Sequence, residues 1–169
     1  MLTNDDLEKI AKNYDVKLKG IFMKDKLTNL PIEDGNYIIN MDNSTGIGTH
    51  WTALFVSENK AIYFDSFGCV PPQNVIDFVK QRKNIKLGYN NFIMQDLESE
   101  KCGFYCIAFL LFLNRSKNKD IYKATNDFIK MFYNDTLQND EILKTYLVKN
   151  LNTNSNESNK IKKLIKLLY

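Results

Sequence analysis

The chain has 169 residues, 44% of them hydrophobic, and a formal charge of +3. That length fits one domain able to bury roughly 70% of its unfolded surface, and no apolar run approaches the ~20 residues needed to span a membrane. Five lysines and one glutamate from Lys149 onward carry net +4, which leaves the first 148 residues at −1 and confines any polyanion affinity to the end of the chain.

The first six residues, through Asp6, are acidic and lack the basic-then-apolar profile of a signal peptide. The three cysteines, Cys69, Cys102 and Cys106, cannot close into a full set of disulfides. His50 is the only histidine, and the spacings match no common zinc pattern. A reducing intracellular setting, no metal and no cofactor are therefore expected.

Taken in chain order, Thr3 or Asn4 can cap a first helix reaching about Tyr14, with Leu7, Ile10, Ala11 and Tyr14 on one apolar face. Residues Gly20 to Pro31 read as an irregular connection. Asp34-Gly35 turns the chain into a strand, Asn36 to Met41, and a polar, glycine-containing turn over Asp42 to Gly48 leads into a second, His50 to Val56. Ser57 to Lys60 is a tight turn into a third strand, Ala61 to Asp65. An antiparallel hairpin of the last two makes His50 and Asp65 neighbours.

Pro71-Pro72 can start a helix that buries Val75, Ile76, Phe78 and Val79. A further strand is expected from about Tyr89 to Gln95. The run Cys102 to Leu113 is too long for an ordinary strand and too short to cross a membrane, so it reads as a buried central helix. Two amphipathic helices follow, near Asp120 to Tyr133 and Asn139 to Lys149. Residues 1–151 make the expected domain; Asn152 to Asn159 read as an Asn/Ser-rich linker and Ile161 to Leu168 as a short basic amphipathic segment. The fold class expected is α+β, a central sheet packed against helices.

The chemistry-bearing residues are ordered along the chain. A helix N-terminus favours a thiolate because unpaired backbone N–H groups face the charge, and Cys102 opens the central helix. By itself Cys102 reads more readily as a small buried hydrophobe. Its setting between Gln95 and Gly103 points instead to a nucleophile, since Gly103 lets a substrate backbone approach. His50 is the one imidazole available as general base, and Asp65 the carboxylate able to orient it. Gln95 can donate its side-chain N–H to a developing oxyanion, with the Cys102 backbone N–H as second donor. Trp51 reads either as a shield beside His50 or as an ordinary core aromatic. Cys106 reads as core and Cys69 as an inert surface position.

Gly48-Thr49-His50-Trp51, then Asp65-Ser66-Phe67-Gly68, then Gln95 followed by Cys102-Gly103, resembles the adenovirus maturation protease family, adenain, and its virophage and polinton-type relatives. More distantly it is similar to the SUMO-specific deconjugating proteases. The resemblance covers about Asn36 to Leu113. It implies a papain-like α+β fold and a cysteine endopeptidase with His50 as base, Asp65 as orienter, Cys102 as nucleophile and Gln95 as oxyanion donor. The acid is Asp, as in the SUMO proteases, where adenain has Glu.

The resemblance further implies cleavage of viral capsid precursors next to glycine during virion maturation, in the virion or the cytoplasmic viral factory. It implies an activating peptide or DNA as a partner. No membrane partner and a monomeric state are expected. The rival reading with the same four residues is a deconjugating peptidase acting on ubiquitin-like proteins.

Overall fold

The computed structural model describes residues 2–151; the linker and basic segment expected over 152–169 lie outside them. Helix α1, Asn4–Asn13, begins at a reciprocal cap. The Thr3 side chain accepts the Asp6 N–H, while the Asp6 carboxylate accepts the Thr3 N–H at 3.0 Å. Leu7, Ile10 and Ala11 are thereby turned into the core.

The segment expected as an irregular connection from Gly20 contains an edge strand, β1 (Leu18–Met23), followed by a 3₁₀ turn over Lys24–Asn29 that buries Leu27. Nothing local marks β1, because Gly20 lowers strand propensity and only Lys19 is exposed, so no polar-apolar alternation is visible. Its order comes from parallel pairing with β2 (Gly35–Asn40), a partner distant in sequence.

β2 runs antiparallel to β3 (Trp51–Ser57), and β3 antiparallel to β4 (Lys60–Phe64) through the expected hairpin, with Glu58 at φ 53° in the turn. Helix α2 (Gln73–Lys80) follows Pro72 and leads to β5 (Lys86–Tyr89), which pairs parallel with β4. The sheet order is therefore β1-β2-β3-β4-β5, antiparallel in the middle and parallel at both edges.

The strand expected from Tyr89 to Gln95 is instead β5, ending at Tyr89, and then irregular chain. The backbone N–H groups of Met94 and Gln95 both turn onto one acceptor, the Ser66 carbonyl, at 2.9 and 3.1 Å, which no strand ladder allows. Apolar Phe92 and Met94 imitate a strand, but Met94 drops into the core while Ile93 is exposed.

Alternate residues of the sheet enter two cores. Ile38, Ala53, Ile62 and Phe64 face a large cluster with α1, α3 (Cys102–Arg115), α4 (Ile121–Ile129) and α5 (Asn139–Lys149). Tyr37, Ile39, Leu54, Val56 and Tyr63 face the other side, against Leu27 and the Val75, Phe78 and Val79 face of α2. Every residue of α3 from Cys102 to Leu111 is buried, which is what a helix apolar on all sides requires. The site-bearing end of that helix is thus fixed by packing around its whole circumference. α4, expected near Asp120 to Tyr133, is capped by Asp120 and stops at Ile129.

Candidate active site

His50 immediately precedes β3, and Asp65 immediately follows β4. Because Ala53 pairs with Phe64 in the hairpin register, the two chain ends meet. The His50 Nε2 lies 2.9 Å from Asp65 Oδ1, with the imidazole 16% and the carboxylate 3% exposed. The His50 carbonyl accepts the Met41 N–H at 2.8 Å. The loop between these residues is tied down by buried Asn40, whose Oδ1 accepts the N–H groups of Asp42 and Thr49, and by the Asp42 carboxylate, which accepts the Gly48 N–H. Gly48 adopts φ +87°, a conformation that suits glycine.

Asp65 is held as firmly. Its Oδ1 also accepts the Phe67 N–H at 2.8 Å, and its own N–H donates to Asn90 Oδ1. Asn90 Nδ2 in turn donates to the Asp65 and Phe92 carbonyls. The Phe67 ring lies against the imidazole with centroids 4.9 Å apart. Gly68 at φ +69° closes the turn, and a Cβ there would stand 3.0 Å from the Asn91 and Phe92 backbone.

Cys102 is the first residue of α3, after Lys101, which makes no side-chain cap bond. The imidazole registers the nearby sulfur. Burial pulls the His50 pKa down from its ordinary 6.5, but the hydrogen bond to Asp65 and the influence of the neighbouring Cys102 outweigh it and raise the value to about 9. Since Nε2 is committed to Asp65, Nδ1 is the ring nitrogen left for the sulfur. The structure thus joins His50 to Asp65 by a direct bond and sets Cys102 near enough to bear on the charge of the imidazole.

The other cysteines are differently placed. Cys106, one turn further along α3, is completely buried, and that burial pushes its thiol well up. Cys69 is exposed, with its thiol raised first by partial desolvation and then by Asp65.

Gln95 is buried at 1% exposure. Its Oε1 accepts the Ser66 hydroxyl at 2.7 Å, and its Nε2 donates to the Ser99 carbonyl. An amide nitrogen carries two hydrogens, so one N–H remains beyond that bond. Trp51 is core, 3% exposed, with its indole N–H donating to the Leu2 carbonyl at 3.0 Å. Gly103 serves packing rather than substrate approach: a Cβ there would meet Leu7 Cδ2 at 3.0 Å and Leu2 Cδ1 at 3.1 Å. Its missing side chain lets α1 close on α3. Beside Trp51 runs an open cleft of about 540 Å³, bordered by Leu2, Met23, Asn40, Ile47 and Gly48.

Sequence reasoning missed Asn40, Asn90 and the pairing of Ser66 with Gln95. An asparagine ending a strand, as Asn40 does, or following one, as Asn90 does, is an ordinary turn former, so only their burial, at 1% and 2%, marks these two. Among the described residues no group of three His, Cys, Asp or Glu side chains is arranged to hold a metal ion, and no helix is long and apolar enough to cross a membrane.

No protein-family model matches the chain. Over 127 residues, 70% of its length, it is 25% identical to the SUMO-1 cysteine protease of African swine fever virus from a South African tick isolate. It is likewise 25% identical over 127 residues to the cysteine protease of the Badajoz strain. The chain spans 45% of the length of these curated relatives. The crystal structure of the African swine fever virus protease superposes with a TM-score of 0.51 at 18% identity, covering 87% of this chain and 66% of that one. The chain is therefore a distant relative of these viral cysteine proteases, and its α+β architecture is the papain-like fold expected from the sequence.

Proposed function

We propose that this chain is a cysteine endopeptidase that cleaves viral capsid precursor proteins next to glycine during virion maturation. The observation that carries the catalytic reading is the His50 imidazole, bonded to Asp65 through Nε2 and raised to a pKa of about 9 with Cys102 as a second partner. At neutral pH that imidazole is cationic, the counter-charge a thiolate needs.

In the reaction, the Cys102 sulfur attacks the scissile carbonyl. The oxyanion is received by the Cys102 backbone N–H and the remaining Gln95 N–H. His50 Nδ1–H then gives its proton to the leaving amine, leaving a thioester, and the neutral imidazole takes a proton from the water that hydrolyses it. Asp65 holds the ring and its charge throughout.

The capsid-precursor substrate and the virion or viral-factory location rest on the sequence signature and on the viral origin of the relatives, and membership of the virophage branch rests on the abundance of Asn, Lys and Ile. DNA or an activating peptide is proposed as a partner. A second reading, removal of ubiquitin-like modifiers, is favoured by the SUMO-1 protease name that two of the relatives carry. Co-expression with candidate capsid precursors, with intact-mass measurement of the products, tests the first; a panel of ubiquitin-like conjugates tests the second. Cleavage of conjugates but of no precursor would overturn the maturation role.

A further inference from the structure

The segment from Gln95 to Cys102 carries both oxyanion donors of the proposed reaction, and its underside is held by the first turn of α5. Asn139, with no exposed surface, donates from Nδ2 to the Met94 carbonyl at 2.9 Å. The next residue, Asp140, gathers three donors. Its Oδ2 accepts from the Ser99 hydroxyl at 2.9 Å and stands 3.1 Å from the Lys101 Nζ, while its Oδ1 accepts from the Tyr105 hydroxyl at 3.0 Å. These partners bracket Cys102 on both sides. Ser99 is also the residue whose carbonyl accepts the Gln95 amide, and Lys101 is the N-cap of α3.

From this chain of bonds we infer that Asp140 is a positioning residue for the oxyanion site. By fixing Ser99 it sets the plane of the Gln95 amide, whose far side is pinned by Ser66, and so directs the one remaining N–H. By fixing Lys101 and Tyr105 it sets where the Cys102 N–H points. The carboxylate is itself well placed, since a negative charge in the first turn of α5 meets the positive end of the helix. The inference rests on the proposed cysteine-protease reading, but its effect on Gln95 is independent of turnover.

Asp140→Ala removes both acceptor oxygens and so all three bonds, whereas Asp140→Asn keeps an oxygen for Ser99 and Lys101. With a Gly-Gly-terminated peptidyl-aminomethylcoumarin as probe, Asp140→Ala is expected to lower kcat by roughly 10- to 100-fold, less than the loss of a donor itself. KM should stay within about twofold, the mark of an interaction made in the transition state alone. Asp140→Asn should recover most of the rate. Alkylation of Cys102 by iodoacetamide should be unchanged, because that displacement develops no oxyanion.

In ¹H–¹⁵N spectra without substrate, the Gln95 side-chain amide signals should move in Asp140→Ala and return in Asp140→Asn. Unmoved Gln95 signals, an unchanged kcat, or a parallel fall in alkylation and kcat, as a merely structural brace would give, overturns the assignment. If the wild-type protein leaves the peptide intact while the Gln95 signals respond to Asp140, the positioning of Gln95 stands and the peptidase reading is what fails.

Discussion

Asn90 grips Asp65 at both ends of its backbone: the side-chain oxygen of Asn90 accepts the Asp65 N–H at 2.8 Å, and its Nδ2 donates to the Asp65 carbonyl at 2.7 Å. Asp65 lies past the end of β4, where the ladder no longer pairs its peptide groups. A side-chain amide thus stands in for the missing strand neighbour, and the orienting carboxylate inherits the rigidity of the sheet. Asn90→Ala would leave the buried Asp65 N–H unpaired, while the Asp65 carbonyl keeps the Gly68 N–H at 2.9 Å, a loss of about 1–3 kcal/mol. Urea denaturation should show that loss, together with a lower kcat. A midpoint equal to the wild type would mean that Asn90 does not anchor Asp65.

The imidazole yields a pH prediction. The His50 pKa is higher in the folded protein, about 9, than its ordinary 6.5. The stabilisation from its partners is therefore fully present below about pH 6.5 and is lost as pH rises through about 9. Since His50 is the only histidine, its ring signals can be titrated by NMR without assignment. The alkaline limb of kcat/KM should follow the same titration, as the imidazolium loses the proton it gives to the leaving amine. In Asp65→Asn the value should fall toward or below 6.5, because burial, the largest single influence, acts downward. A ring that titrates near 6.5 in the wild-type protein would refute the pairing.

The three thiols should separate by reactivity. With limiting iodoacetamide at neutral pH, peptide mapping should find Cys102 modified first, then exposed Cys69, and Cys106 last, because Cys106 is fully buried with a raised pKa. Cys102→Ala should abolish cleavage without unfolding the chain. Cys69→Ala and Cys106→Ala should keep most activity, the latter with about 1 kcal/mol lost to the cavity it leaves. Equal inactivation by all three, in folded protein, would remove Cys102 from its role.

How much of this was legible in the chain depends on the range of the interaction that created it. The hairpin was readable because its turn, Ser57 to Lys60, is local, and the meeting of His50 with Asp65 follows from the hairpin alone. The buried helix from Cys102 was readable from its length and uniform apolarity. Strand β1 was not, since its order comes from β2, with only Lys19 left exposed to break its pattern. Gly103 was misread for a related reason. Its purpose depends on Leu2 and Leu7, about a hundred positions away, and a glycine beside a cysteine looks the same whether a substrate or a helix passes over it.

Gln95 is the residue for which the structure adds most to the sequence reading. Seen in the sequence, Gln95→Ala removes one oxyanion donor, and kcat should drop by roughly 10²–10³ with little change in KM. In the fold the same amide also satisfies the Ser66 hydroxyl and the Ser99 carbonyl in a buried setting, so the truncation carries a second cost, about 1–3 kcal/mol of stability. The two effects can be separated. Ser66→Ala removes one of the amide's anchors but neither oxyanion donor, and should lower kcat by only about 3- to 10-fold, in keeping with a small misorientation. Gln95→Glu keeps the length but sets a carboxylate against the Ser99 carbonyl, and should match the alanine variant in kcat. The decisive comparison is steady-state kinetics beside denaturation for all three variants. If Gln95→Ala raised KM and spared kcat, the amide would be a substrate-binding group, and the oxyanion role would pass to the Cys102 N–H alone.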